Sequence, residues 1–169
     1  MDVIQAIMTR RSIRKYQDKP VSDEKVKNVL EAAMMAPSAG NAQPWQFIIV
    51  RDKQALTAIK EINPYAGMAE NAPLGILVCG DLSLEKFPGY WVQDCSAAVQ
   101  NMLLASHGLG LGAVWTGIHP IKQREQGFSK LFDLPEHVVP LAYIVIGYPD
   151  QSPKSESRFK PERVHTEKW

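Results

Sequence analysis

The run Arg10-Arg11-Ser12-Ile13-Arg14-Lys15-Tyr16 gathers four cations and a hydroxyl at the end of an amphipathic segment. Guanidinium groups at that density suit a phosphate dianion, which they hold through charge-assisted hydrogen bonds, and Ser12 adds a neutral donor. About twenty residues further on, Ala36-Pro37-Ser38-Ala39-Gly40-Asn41-Ala42-Gln43-Pro44-Trp45 is a polar, turn-rich stretch. Ser38, Asn41 and Gln43 place donors and acceptors within one turn, enough to read the amide and carbonyl edges of a heterocycle. Each segment also has an ordinary explanation: cations near a helix C-terminus complement the macrodipole, and Pro37, Gly40 and Pro44 build surface turns. Taken together, they describe a site for a phosphorylated cofactor with a planar polar ring.

Other chemistries lack their equipment. His107, His119, His137 and His165 are scattered, none at i, i+4 from another or beside a cysteine pair, so no metal site is expected. No G-x-S-x-G elbow and no G-x-x-x-x-G-K-[ST] loop is present, which removes acyl transfer and nucleotide hydrolysis by their usual routes. Gly108-Leu109-Gly110-Leu111-Gly112-Ala113 matches a permissive dinucleotide fingerprint. Its context is inverted, however, with a helical pattern before it and a strand pattern after, so no helix N-terminus meets a pyrophosphate. These glycines are expected to end a helix in left-handed geometry and to let a strand pack closely. A chain without side-chain catalysts fits an enzyme whose reactive atom belongs to a bound cofactor.

The cationic run and the polar loop, in this order, resemble the FMN-dependent nitroreductase family over nearly the whole chain. The resemblance implies that Arg10, Arg11 and Ser12 contact FMN and that Arg14 lies near the pyrimidine edge of the isoalloxazine, where a cation stabilises charge on the reduced ring. It implies that Pro37, Ser38, Ala39, Asn41 and Gln43 reach the FMN bound mainly by the other subunit, so that a monomer has half a site. It places the backbone of Trp115, Thr116 and Gly117 near flavin N5 and O4, and it assigns Arg158 to the phosphate. The family often carries a lysine two residues before that arginine; here Glu156 stands there, and Lys154 or Lys160 would compensate.

The activity implied is hydride transfer from NADH or NADPH through flavin N5 to nitroaromatic, quinone or similar acceptors, by a ping-pong mechanism. Specialised relatives, such as flavin, ene or dehalogenating reductases and flavin-cleaving enzymes, share the cradle and differ in the lid. Here the lid candidates are Ile62 to Ala72 and Phe87 to Trp91. A flavin-binding module without useful turnover is the alternative of another class.

The elements that must position these residues follow from periodicity. Asp2 and Ser22 are expected to cap helices, the first carrying Val3, Ile4, Ile7 and Met8 on one face, the second ending before Pro37. Trp45 to Val50 reads as a buried strand, Gln54 to Ile62 as a short helix, and the stretch with Pro64 and Gly67 as a loop. Gly75 to Cys79 is a second buried strand, and Tyr90 to His107 one long helix with a broad apolar stripe. Leu111 to Thr116, Lys122 to Phe132 and Val138 to Gly147 read as strand, helix and strand. The fold class expected is α+β: by resemblance a nitroreductase-like domain over 1–169, with a mainly antiparallel central sheet flanked by helices. Its C-terminal arm, about residues 150–169, would be exchanged in an intertwined homodimer, and Phe159, Val164, His165 and Trp169 favour an arm that packs on something.

With 169 residues, 45% of them hydrophobic, one domain has enough material for a sizeable core. A net charge of +1 from 19 basic and 18 acidic residues gives no field that would attract nucleic acid or an acidic membrane. Cys79 and Cys95 lie in apolar contexts, without disulfide or metal spacing. With no leader and no apolar run long enough to span a bilayer, a cytoplasmic protein is expected.

Overall fold

A computed structural model describes residues Met1–Trp169. Four strands, β1 (Trp45–Val50), β2 (Leu74–Asp81), β3 (Gly112–Gly117) and β4 (Val138–Gly147), form one sheet in the order β1-β2-β4-β3. Every neighbouring pair is antiparallel. Five helices accompany it: α1 (Val3–Thr9), α2 (Asp23–Met34), α3 (Lys53–Ile62), α4 (Trp91–Gly108) and α5 (Lys122–Leu131).

Alternation along the central strands sends side chains into two cores, one on each face. Leu74, Ile76 and Val78 of β2 meet Val26 and Val29 of α2 and Ala98, Val99 and Met102 of α4. On the other face, Leu77 and Cys79 meet Leu56 and Ile59 of α3 and Phe128 of α5. A register shift between Val78 and Cys79 leaves Leu141 as an extra residue of β4, so that Leu141 and Ala142 both face the α4 side. Cys79 and Cys95 are free and buried, and burial pushes both thiols up to about 12.

The helix starts agree with the capping residues read from the sequence. Asp2 accepts a hydrogen bond from Gln5 N at 2.9 Å and Ser22 one from Lys25 N at 3.4 Å; Asp52 does the same for α3. The apolar face of α1 covers no core: Val3 and Ile4 are 66% and 65% exposed. Two expectations are corrected. β1 is an edge strand whose interior positions are half-buried to exposed, because only β2 flanks it. The stretch with Pro64 and Gly67 is a 3-10 segment, Pro64–Asn71, started by Pro64 at its first position and by Asn63, whose Oδ1 accepts from Tyr65 N.

The glycines after α4 act as expected. Gly110 adopts φ +74°, and Leu111 N returns to Ser106 O at 2.8 Å, closing the helix. Gly112 then passes so near Ile13 that a Cβ there would lie 2.6 Å from an Ile13 carbon. This close approach seats the cationic segment against β3. Residues 150–169 run extended, with one short 3-10 turn at Pro161–Arg163, and Phe159, Val164 and Trp169 are exposed.

Candidate functional site

The site begins where α1 ends. Arg10 caps its last turn, and Ser12 forms a parallel bridge with Ala113, Ile13 N donating to Ala113 O at 3.1 Å. The Tyr16 hydroxyl donates to Ile13 O and, at 3.1 Å, to Val145 O, which fixes the segment from the far side. The cations therefore lie along the edge of β3 that β4 does not cover.

The arm folds back over the same place. A cleft of about 390 Å³ opens between Ile7, Met8, Arg10 and Arg11 on one side and Glu156, Ser157, Arg158 and Phe159 on the other. Arg10, Arg11 and Arg158 are close enough to feel one another: burial first, then the charges of Arg158 and Arg11, hold the Arg10 guanidinium below its ordinary value. None of the three has a carboxylate partner, since the ion pairs of this chain all lie elsewhere. Three like charges held together without a counter-charge are an anion seat.

The arginines are not equivalent. Arg11 uses its donors on the protein: Nη1 on Met8 O and Arg10 O, Nη2 on Ser155 Oγ at 2.6 Å and Glu156 O at 3.2 Å, and Nε on Lys154 O. It clamps the arm to α1 and contributes charge. Arg10 and Arg158 donate to no protein group, and the half-buried Ser12 hydroxyl is equally free, so these three keep their donors for a ligand. Arg14 is exposed, its backbone N held by Gln151 Oε1 at 3.1 Å. Glu156 turns a carbonyl, not its carboxylate, toward Arg11.

The open edge of β3 continues past the cations. Ala113 presents its backbone away from β4, and backbone direction alternates along a strand, so the N–H and C=O of Trp115 and Gly117 point outward too. Trp115 is 37% exposed. Thr116 turns inward: its hydroxyl donates to Tyr143 O at 2.7 Å and its backbone faces β4, so the side chain is committed to the sheet. At the strand's end the Gly117 carbonyl accepts from Arg124 Nη1 at 2.9 Å and from the fully buried Asn63 Nδ2 at 3.2 Å. Sequence reasoning passed over both donors. Asn63 carried one signal, its place before Pro64; Arg124 carried none.

The polar loop is a second, separate surface. Gly40, Asn41 and Gln43 have φ of 58°, 53° and 50°, so two residues with Cβ atoms are held left-handed. Ser38 Oγ accepts from Gln43 N at 3.0 Å, Asp94 Oδ1 from Ala39 N at 2.9 Å, and Gly40 O from Lys86 Nζ at 2.7 Å. Gln43 Nε2 donates to Asn41 Oδ1 at 2.8 Å. That bond leaves the Asn41 amide nitrogen as donor and the Gln43 carbonyl oxygen as acceptor side by side at the surface. Pro37, Ser38 and Ala39 line a shallow cleft of about 350 Å³ with Tyr90, Gln93, Asp94 and Ala97.

Within one chain the two surfaces lie apart. The loop touches α4 near Asp94 and Ala97, whereas the cationic segment touches its other end, where Thr9 Oγ1 meets His107 Nε2 at 2.8 Å. Residues 97 to 107 of a helix rise about 15 Å. The polar loop and the cationic segment are therefore set at different ends of α4 within one chain.

Comparison with known proteins gives the family and the fold. A family model described as "Nitroreductase family" matches residues 7–69 and 60–148. A Methanothermobacter thermautotrophicus protein, named provisionally as an NADH dehydrogenase/NAD(P)H nitroreductase, is 54% identical over 169 residues, covering 100% of this chain and 88% of its own. The Bacillus subtilis FMN reductase [NAD(P)H] is 30% identical over 182 residues, covering 97% of this chain and 72% of its own. A provisionally named nitroreductase from Desulfovibrio desulfuricans, solved in complex with FMN, superposes with a TM-score of 0.86 at 36% identity, covering 100% of this chain and 98% of that one.

Proposed function

This chain belongs to the nitroreductase family, and we propose that it is an FMN-dependent oxidoreductase that works as a homodimer. The observation that carries the reading is the meeting of Arg10, Arg11 and Arg158, without a counter-charge, beside a strand edge whose backbone groups face away from the sheet, those of Trp115 among them. An anion seat alone would suit any phosphate. An anion seat that continues into a row of outward N–H and C=O groups suits a phosphate attached to a flat ring with polar edges.

Arg10 and Arg158 would hold the phosphate with Ser12, while Arg11 keeps the arm in place. The backbone of Trp115 and Gly117 would meet the ring's N5 and O4 side, and Arg14 would lie toward its pyrimidine edge. That edge presents acceptor, donor, acceptor. The Asn41 amide and Gln43 carbonyl, supplied by the second chain, offer a complementary donor and acceptor. When bound, FMN would supply the two-electron chemistry that links NADH or NADPH to a nitroaromatic, quinone or similar acceptor in ping-pong order. The protein's part is to bind, to orient and to exclude water.

The surface supports pairing. α1 leaves Val3, Ile4, Ile7 and Met8 in the open, and Met34, Met35, Phe159, Val164 and Trp169 add to the exposed apolar area. Apolar surface of this kind fits a subunit interface. The arm from about residue 150 would cross to the partner, taking Phe159 and Trp169 into cover. Buried free thiols fit the cytoplasm, and no helix is long and apolar enough to cross a membrane. The test is the visible spectrum of the purified protein with its released chromophore identified, together with its mass in solution. FMN in a dimer that oxidises NAD(P)H with a nitro or quinone acceptor supports the assignment. A colourless protein that stays so after reconstitution, or a fully active monomer, overturns it.

A further inference from the structure

At the end of β3 farthest from the phosphate seat, a second unpaired cation faces the open edge. Arg124 Nη1 donates to the outward Gly117 carbonyl at 2.9 Å, and the Tyr65 ring lies 5.2 Å from the guanidinium carbon. The ring lies against the guanidinium and is itself 74% exposed, while Arg124 is half-buried and so retains some access to solvent. A single N–H is committed to Gly117, which leaves four for another partner. No carboxylate of the chain answers this charge. The adjacent Glu125 is turned elsewhere, 2.6 Å from His119 Nδ1 and 2.8 Å from Lys122 Nζ.

The phosphate of a bound FMN cannot be that partner. From Ala113, which marks the cationic segment, to Gly117 the strand advances about 13 Å. A charge at this distance, beside the backbone to which the proposed function assigns the N5 and O4 side of the ring, would serve what stacks on the ring. Asn63 ties Gly117 to the segment that carries Tyr65, so the cation and its aromatic cover are held to the same peptide group.

We infer that Arg124 and Tyr65 form an acceptor subsite for aromatic carboxylates. The guanidinium fork would take the carboxylate in two parallel hydrogen bonds, and the Tyr65 ring would flank the aromatic body. This rests on the proposed function and deepens it, since it names the acceptors that the site prefers.

Calorimetry on the FMN-loaded full-length protein tests it with benzoate and benzamide, which have the same shape, differ in charge and are not reduced. Benzoate should bind about tenfold more tightly than benzamide, as expected of a partly screened charge-assisted pair. Arg124→Gln should bring the two affinities together, Arg124→Lys should keep part of the difference, and Lys130→Gln, an exposed charge on the same helix, should leave it intact. The kcat/KM ratio for 4-nitrobenzoate over 4-nitrobenzamide should follow the same order. Arg124→Lys retains a donor for Gly117, so it separates loss of the subsite from loss of the strand end. Equal binding of the two ligands by the unaltered protein overturns the inference. So does a preference that survives Arg124→Gln, or a raised KM for NADH or NADPH with benzoate affinity unchanged, which would give the cation to the donor. Absence of bound FMN, or no reduction of the neutral nitrobenzamide, would mark the failure of the proposed function itself.

Discussion

Replacing Arg10 by alanine separates binding from folding, because in this structure the side chain stabilises no other part of the chain. Its guanidinium makes no hydrogen bond and no ion pair to protein, while burial and two neighbouring cations disfavour its charge. Removal relieves that repulsion, so the apo protein should change in stability by no more than about 0.5 kcal/mol, the usual range for a substitution without lost contacts. The anion it serves loses one charge-assisted hydrogen-bonding partner, about 1.5–3 kcal/mol. At 1.4 kcal/mol per decade, FMN affinity should fall roughly 10- to 100-fold. Quenching of FMN fluorescence on titration gives the affinity, and a thermal melt of the apo protein gives the stability. Arg11→Ala is the contrast: it should cost stability and loosen the arm as well, since Arg11 holds Lys154, Ser155 and Glu156 against α1. An Arg10→Ala protein that binds FMN as tightly as before, or whose melting point drops while affinity stays, would refute the reasoning.

Gly112→Ala should place a methyl 2.6 Å from Ile13 and force the cationic segment off β3. Overpacking of this kind costs about 1–3 kcal/mol, read as a lowered melting temperature, and FMN binding should weaken with it because Ser12 shifts too. His107 predicts a pH dependence. Burial, then Arg10 and Arg11, hold its pKa below the ordinary 6.5, so the folded apo protein binds a proton less readily than the unfolded chain. Its stability contribution is therefore present above the unfolded value and lost as pH falls below it. Denaturant midpoints measured between about pH 8 and pH 5.5 should fall more steeply for the native protein than for His107→Gln, and parallel curves would remove His107 from the account.

The strands and helices that the sequence revealed best are those whose signal is local and whose neighbours are in the same chain. β4 runs from Val138 to Gly147 as its β-branched residues required, and α4 keeps its apolar stripe against the sheet. α1 shows where periodicity stops: it tells which face is apolar and not which body covers it. Pro64 and Gly67 suggested a loop because turn residues mark breaks, yet proline at a first helical position after a capping Asn63 starts a 3-10 turn just as well. At the site, Arg10 and Ser12 keep side-chain donors that no protein group takes. Arg11 does not, because Lys154, Ser155 and Glu156, which take its Nε and Nη2, lie more than 140 positions away and no local pattern announces them. Thr116 was counted with its neighbours, but strand alternation turns its hydroxyl and backbone into the sheet while Trp115 and Gly117 face out. Asn63 and Arg124 meet Gly117 only through tertiary packing, and nothing near them in sequence betrays it.

The placement of the two ligand surfaces at opposite poles of α4 has a genetic corollary. In the proposed twofold pair, each seat would join the arginines of one polypeptide to the loop of the other. A chain weakened at Arg10 and a chain weakened at Asn41 would then complement when coexpressed, because every mixed pair would contain one seat built wholly from intact halves. Random assortment makes half the pairs mixed, so about one seat in four would regain its pigment.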